Sequence, residues 1–278
     1  MSAVSYPPWL TIRRGELPLI VSMPHTGTEI PADIESRLVS AWLARKDTDW
    51  WIDQLYAFAH DLGASVVRTA LSRTVIDVNR DPSGASLYPG QATTELCPTT
   101  TFDGEPLYRG GETPDGAQIA TRRAQYFDPY HDALRSEIVR LRGRHPCVVL
   151  YDCHSIRSRI PRLFVGELPN FNIGTNSGAS CAQALTDAVE EACATSEFTR
   201  VVNGRFRGGY TTRHYGQPHD GVHALQMELA CRSYLREPDD AVSESNWPVA
   251  FDTQRALSVQ HTLQQVLQAC LRFATSAG

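Results

Sequence analysis

Residues 146–155 read PCVVLYDCHS. Val148, Val149, Leu150 and Tyr151 form a short β-favouring run that turns polar at Asp152, Cys153, His154 and Ser155. An apolar run of this length, starting at a Pro and ending in a metal-capable His, predicts a buried central strand that opens into a site at its C-terminal end, where open α/β sheets bind their ligands. Residues 17–25, LPLIVSMPH, and 222–230, VHALQMELA, have the same design, the second with Glu228 near its end. Two imidazoles and one carboxylate are therefore expected where apolar strands stop.

Outward from these strands, residues 1–16 read as an edge strand or arm, with Pro7 and Pro8 limiting regular structure. Ile34, Leu38, Trp42 and Leu43 recur at helical spacing and predict a helix over 31–45, and Trp51, Leu55, Phe58 and Leu62 predict another over 49–62, capped by Thr48 or Asp49. Residues 64–69 read as a strand. So do 72–80, SRTVIDVNR, with Val75, Asp77 and Asn79 on one side and Ile76 and Val78 on the other. Residues 81–120 are rich in Pro, Gly and Thr and have no period, while Tyr88, Leu96, Phe102, Leu107 and Tyr108 give them the apolar content of an ordered lid. The longest helix is expected over 121–144, with Pro129 kinking it or marking its true start. Beyond the central strand, the pattern gives a strand pair at 162–167 and 171–175, a helix at 177–193, strands at 200–203 and 222–229, and a closing helix at 253–273. Strands alternating with helices predict a single domain over 1–278, of the α/β class: a mixed, mostly parallel central sheet with helices on both faces.

Composition narrows the function. The 278 residues are 42% hydrophobic, ample for a core, and the net charge is −5. The 26 basic and 31 acidic residues are spread along the chain, so no basic block tracks a phosphate backbone and nucleic acid is not an expected partner. No basic n-region precedes a long apolar core, and no run approaches the roughly 18 apolar residues of a membrane span, so a soluble, cytoplasmic protein is expected. The seven Cys are odd in number and lack C-x-x-C spacing, which predicts buried, reduced thiols rather than a structural zinc knuckle.

A lone His beside an apolar strand is usually a hydrogen-bonded core residue. Two of them, His25 and His154, ending separate strands, point to a shared metal. Catalytic zinc takes three protein ligands and keeps one position for water, so a third ligand is needed from Glu29, Asp47, Asp49 or Asp152, each of which otherwise reads as a cap or a solvated acid. Glu228 lies between Met227 and Leu229, where a buried carboxylate needs a partner or a task. It reads either as an ion-pair partner of Arg232 or as a general base with its pKa raised by burial. Arg73, Arg80, Arg157, Arg159, Arg162, Arg205, Arg207 and Arg213 flank the expected site, whereas Lys46 is the only Lys. Planar guanidinium forks suit carboxylates, and Asn79-Arg80 and Thr212-Arg213 are the better pairs, so a small anionic substrate is implied. There is no G-x-S-x-G elbow and no phosphate loop. Cys153 and His154, adjacent on a strand, point to opposite faces and make a poor thiol–imidazole pair.

The chain also carries SMPHTGTEIP, DTDWW, LSRTVIDVNRDPSGASLYPGQATTELCPTTTFDGEPLY, YFDPYH, LYDCHSIRS, GELPNFNIGTN, GRFRGGYTTRHYG and HALQMELACR. On these motifs it resembles the N-formylglutamate amidohydrolases (N-formylglutamate deformylases) of histidine degradation. The resemblance implies hydrolysis of N-formyl-L-glutamate to formate and L-glutamate with a divalent metal, zinc being the expected ion. More loosely, the layout is similar to the zinc carboxypeptidase fold, in which a strand-end His and an acid three residues later bind zinc, a second His follows another strand, and a late-strand Glu is the base. Thr28 stands where that acid would be, so the resemblance gives the carboxylate ligand to Asp49, with Glu29 as second choice. It implies His25, Asp49 and His154 as metal ligands, Glu228 as base, Arg213 at the oxyanion, and Arg73, Asn79 and Arg80 on the substrate carboxylates. Two other readings compete: a metal hydrolase of another acyl-amino acid or a peptide C-terminus, and a non-enzymatic carboxylate-binding module.

Overall fold

The computed structural model describes residues 6–87 and 90–276. Its strands are β1 (Leu10–Arg13), β2 (Leu19–Met23), β3 (Ser65–Thr69), β4 (Val148–Ile156), β5 (Phe171–Gly174), β6 (Arg200–Val202) and β7 (Val222–Ala230). They form one sheet in the order β1-β3-β2-β4-β7-β5-β6. β3, β2, β4 and β7 run parallel, β1 is antiparallel on β3, and β5 is antiparallel on β7. The α-helices are α1 (Ala32–Glu35), α2 (Ile52–Leu55), α3 (Gly116–Arg122), α4 (Asp128–Arg142), α5 (Gln183–Ala194), α6 (Tyr210–Tyr215) and α7 (Thr253–Ser276). This is the expected mixed, mostly parallel α/β sheet.

The pleat of β4 divides the core. Val149, Tyr151 and Cys153 join a cluster completed by residues of α2, α5 and α7, while Val148 and Leu150 join one completed by α4 and Val75, Ile76 and Val78. Helices therefore cover both faces, as period-two burial on a central strand requires. On the α4 face, Ile20, Leu150 and Ala224 stand side by side across β2, β4 and β7. Two residues on, the same three strands present Ser22, Asp152 and Gln226, and two further on β4 and β7 present His154 and Glu228. The face changes from oil to polar groups within one strand length.

Several local expectations fail, each for a tertiary reason. The 31–45 helix is only α1 and a 3₁₀ turn at Leu43–Arg45, because Leu38 and Val39 pair instead with residues 107–108. The 49–62 helix shrinks to α2 and a 3₁₀ turn at Ala57–Ala59, and neither Thr48 nor Asp49 caps it. Residues 72–80 form turns rather than a strand; Val75, Ile76 and Val78 enter one cluster together, so strict alternation does not hold. Residues 162–167 form no strand, and β5 pairs with β6 and β7. The helix begins before 121: α3 passes through a π-turn at Arg123–Phe127 into α4, with Pro129 in the first turn of α4, and α7 is longer than either. In the 81–120 stretch Leu96, Phe102, Leu107 and Tyr108 are buried, while Tyr88 lies outside the described residues. All seven Cys are buried and unpaired. Among the described residues no helix is long and apolar enough to cross a membrane.

His131 ties the 72–80 segment to α4. Its Nε2 donates to Val78 O (2.8 Å), and its Nδ1 lies 3.0 Å from the Tyr215 hydroxyl, which donates to the His131 carbonyl (3.0 Å). Burial pushes its pKa down to about 3 from 6.5, so the folded protein holds it neutral while the unfolded chain takes up a proton below 6.5. A depressed folded-state pKa contributes stability that is present above 6.5 and is lost as pH falls toward 3. Between pH 7 and pH 5 the His131 share of that loss is about 2 kcal/mol. Urea unfolding of wild type and His131→Gln at both pH values checks this, since the variant should lose that much less on acidification.

Candidate metal and catalytic site

Three segments place three groups at the C-terminal ends of the central strands. β2 ends at Met23, and the turn after it carries His25. The carbonyl of His25 accepts from the backbone N–H of Asp49 (3.0 Å), which brings the irregular stretch before α2 against that turn. His154 stands on β4 itself. The imidazole centroids of His25 and His154 are 4.8 Å apart, and one ligand-capable atom from each of His25, Asp49 and His154 lies within 4.8 Å of the others, all three residues being buried.

Each imidazole is held from behind by a carboxylate. His25 Nε2 donates to Asp77 Oδ1 (2.7 Å), and His154 Nε2 donates to Asp152 Oδ2 (2.9 Å). This fixes both tautomers so that each Nδ1 faces Asp49, whose Oδ2 lies 3.0 Å from His154 Nδ1 and 3.7 Å from His25 Nδ1. His25 Nδ1 and Asp49 Oδ1 are buried without a hydrogen-bond partner. Orphaned acceptors of this kind are costly in a protein interior. Two imidazoles and a carboxylate converging with spare lone pairs form a donor set that suits a divalent cation, zinc above all.

Electrostatics agree with this layout. Burial alone would raise Asp49, but the contact with His154 and the nearby His25 imidazole hold its carboxyl below the usual range. Asp77 is also held well down: burial opposes, and His25, Arg73 and Arg80 prevail. Burial would likewise lower His154, yet Asp152 and Asp49 drive it well above the ordinary value. Glu228, opposite His154 in register, also moves up, burial pushing it to about 8. Its Oε2 accepts from Gln226 Nε2 (3.1 Å).

These groups open onto a narrow cavity of about 60 Å³, lined among others by His25, His154, Glu228, Arg73, Arg80 and Gln226. Arg73 lies with its guanidinium over the Phe102 ring (4.7 Å), donates to Asp77 Oδ2 (2.6 Å) and comes within 3.8 Å of Asp49. Arg80 is anchored on Thr94 through Nε and Nη2 (both 3.1 Å). Asn79 also lines the cavity, but its amide is spent inside the protein: Nδ2 donates to Asp152 Oδ2 (3.0 Å) and Oδ1 accepts from Thr211 N (2.8 Å).

Other expected groups lie elsewhere. Arg213 is not among the described lining residues; it sits on α6 with its Nε donating to Gly208 O (2.9 Å). Glu29 is exposed, and Asp47 is taken by Arg157 (3.1 Å) and the Phe102 N–H (2.6 Å). Asp152 stands behind His154 instead of beside it. Arg232 pairs with Glu167 (3.1 Å) rather than with Glu228. Sequence reasoning missed Asp77, Asp152 and Gln226 as supports, although the i, i+2 spacing of Asp152 with His154 and of Gln226 with Glu228 was there to be read.

Comparison with known proteins places this geometry. The N-formylglutamate amidohydrolase family model matches residues 17–235. N-formylglutamate deformylases of Pseudomonas aeruginosa and Pseudomonas putida are 43% and 45% identical over 263 residues, covering 94% of this chain and 96% and 95% of theirs. The crystal structure of N-formylglutamate amidohydrolase from Ralstonia eutropha JMP134 superposes with a TM-score of 0.76 at 22% identity, over 97% of this chain and 99% of that one, and shares the fold.

The Asn79 brace depends on Gly209, since a Cβ there would collide with the Asn79 amide. Gly209→Ala should therefore displace that amide from Asp152 and destabilise the fold by about 1–3 kcal/mol, as overpacking usually does. Denaturant unfolding checks this, and an unchanged midpoint would show that the contact yields freely.

Proposed function

Because the chain belongs to the N-formylglutamate amidohydrolase family, we propose that it hydrolyses N-formyl-L-glutamate to formate and L-glutamate, with a divalent metal held by His25, Asp49 and His154 and zinc as the native ion. The observation that carries the reading is the meeting of a buried His–Asp–His set with an isolated acid, Glu228, over one cavity. When bound, the ion supplies Lewis acidity, acidifying water and polarising the formyl carbonyl.

The chain's own groups do the rest. Glu228 takes a proton from the attacking water as its oxygen bonds to the formyl carbon. It returns that proton to the glutamate nitrogen as the C–N bond breaks, leaving formate and a free amine. Burial raises this carboxyl above the ordinary carboxylate range, which strengthens it as a base for the water proton. Arg80, braced by Thr94, binds a substrate carboxylate, and Arg73 adds fixed positive charge beside the reacting carbonyl. Asn79 braces Asp152 from the cavity wall. Asp77 and Asp152 hold the two imidazoles in the tautomer the metal needs.

Three measurements test this. Purified protein should carry close to one divalent ion per chain and lose formate release on chelation; full activity in metal-free protein would overturn the metal assignment. Glu228→Gln should lower turnover by roughly 10²- to 10⁴-fold at unchanged metal content. Formylaspartate, formylmethionine and a dipeptide should each turn over more slowly than formylglutamate, and a faster rate on any of them would favour the other acyl-amino acid or peptide reading.

A further inference from the structure

We propose that Gln226 is a positioning residue for the general base, selecting which oxygen of Glu228 exchanges protons; the inference rests on the proposed role of Glu228. Gln226 is buried on β7, two residues before Glu228 and on the same face. Its Oε1 accepts from the backbone N–H of Gly209 (2.8 Å), and its Nε2 donates to Glu228 Oε2 (3.1 Å). A backbone N–H can only donate, so the amide cannot flip without losing that bond, and Nε2 is obliged to face the carboxylate. Glu228 Oε2 is thereby occupied by a fixed donor. Oε1 is left as the oxygen that receives a proton from water and delivers it to the leaving nitrogen.

The arrangement repeats one strand away. On β4, Asp152 stands two residues before His154 and holds its Nε2, and Asp152 and Gln226 are register partners across the sheet. Each working side chain thus rests on a polar residue one pleat below it. The two supports are fastened to the same segment: Gly209 N holds Gln226, while Thr211 N holds Asn79, which donates to Asp152. Gln226 is therefore more than a filled polar position in the core. It links the base to the loop that braces the metal side of the site.

The test is steady-state formate release with metal analysis on wild type, Gln226→Met, Gln226→Glu, Glu228→Gln and the double variant Gln226→Met/Glu228→Gln. Gln226→Met removes both bonds. Gln226→Glu is nearly isosteric and keeps an acceptor for Gly209, but replaces the fixed amide donor with a carboxyl that competes with Glu228 for a proton. Both should lower kcat by about 10- to 100-fold, the size of a hydrogen bond to a charged group, with KM within about twofold and metal content unchanged. The double variant should be no slower than Glu228→Gln, because a residue acting through the base has nothing left to position. A wild-type kcat in Gln226→Glu, a loss seen in KM or in bound metal, or a multiplicative loss in the double variant would overturn the proposal. If Glu228→Gln itself retains full turnover, the reading of Glu228 falls first and this inference falls with it.

Discussion

The pleat of three adjacent parallel strands is the constraint on which the rest of the molecule depends. Residues two apart share a face, and parallel register sets like positions of β2, β4 and β7 side by side. On the α4 face this makes three rows: Ile20, Leu150 and Ala224, then Ser22, Asp152 and Gln226, then His154 and Glu228. The first row is core and the third carries the proposed metal ligand His154 and proposed base Glu228. The middle row is what allows the two to adjoin, because it gives every polar group above it a buried partner. A slip of one residue in any strand would put Cys153 or Met227 into the cavity and carry the supports to the opposite face.

Placing acids at this depth is expensive. Asp49, Asp77 and Asp152 are essentially inaccessible, and a buried carboxylate without partners costs several kcal/mol. The protein answers with geometry. Asp77 is bonded by His25 and Arg73, Asp152 by His154, Asn79 and Ser22, and Asp49 by His154. What remains unanswered is informative: His25 Nδ1 and Asp49 Oδ1 face each other's neighbourhood without a partner. Two unpartnered acceptors beside a second imidazole fit the proposed cation site. The same buried setting raises Glu228.

How much of this could be read from the sequence follows from where each residue gets its instructions. β2, β4 and β7 were legible because an apolar run buried on both faces is a local signal, and their polar ends located His25, His154 and Glu228. Residues 31–62 and 72–80 were not. Leu38 and Trp42 carry helical spacing, yet Leu38 bridges to Tyr108 and Trp42 Nε1 donates to Trp247 O (2.8 Å), partners far away in the chain. Asp49 looks like an N-cap because caps and metal-site acids use the same residue type, and only its bond to the turn after β2 tells them apart. Arg213 is ambiguous for a related reason: a guanidinium beside a Gly-rich loop is equally suited to substrate and to the loop's own carbonyls, and here its Nε donates to Gly208 O. A side chain's target is a tertiary fact even where its backbone is not.

The site divides its labour between rigid and irregular backbone. His154, Glu228 and their supports stand on strands buried along their whole length, while Arg73 and Arg80 stand on turns. That division usually lets loops vary while the chemistry stays fixed. Here the turn is not free to do so. The residues lying between Arg73 and Arg80 include Asp77, which orients His25, and Asn79, which braces Asp152, while His131 clamps Val78 from α4. A shift that moved either guanidinium would therefore pull on both imidazoles. On the proposed reading, substrate grip and imidazole alignment are carried on one short stretch, so a change of specificity would more readily arise around Leu163 and Phe206, which line the same cavity and hold none of Asp49, Asp77 and Asp152.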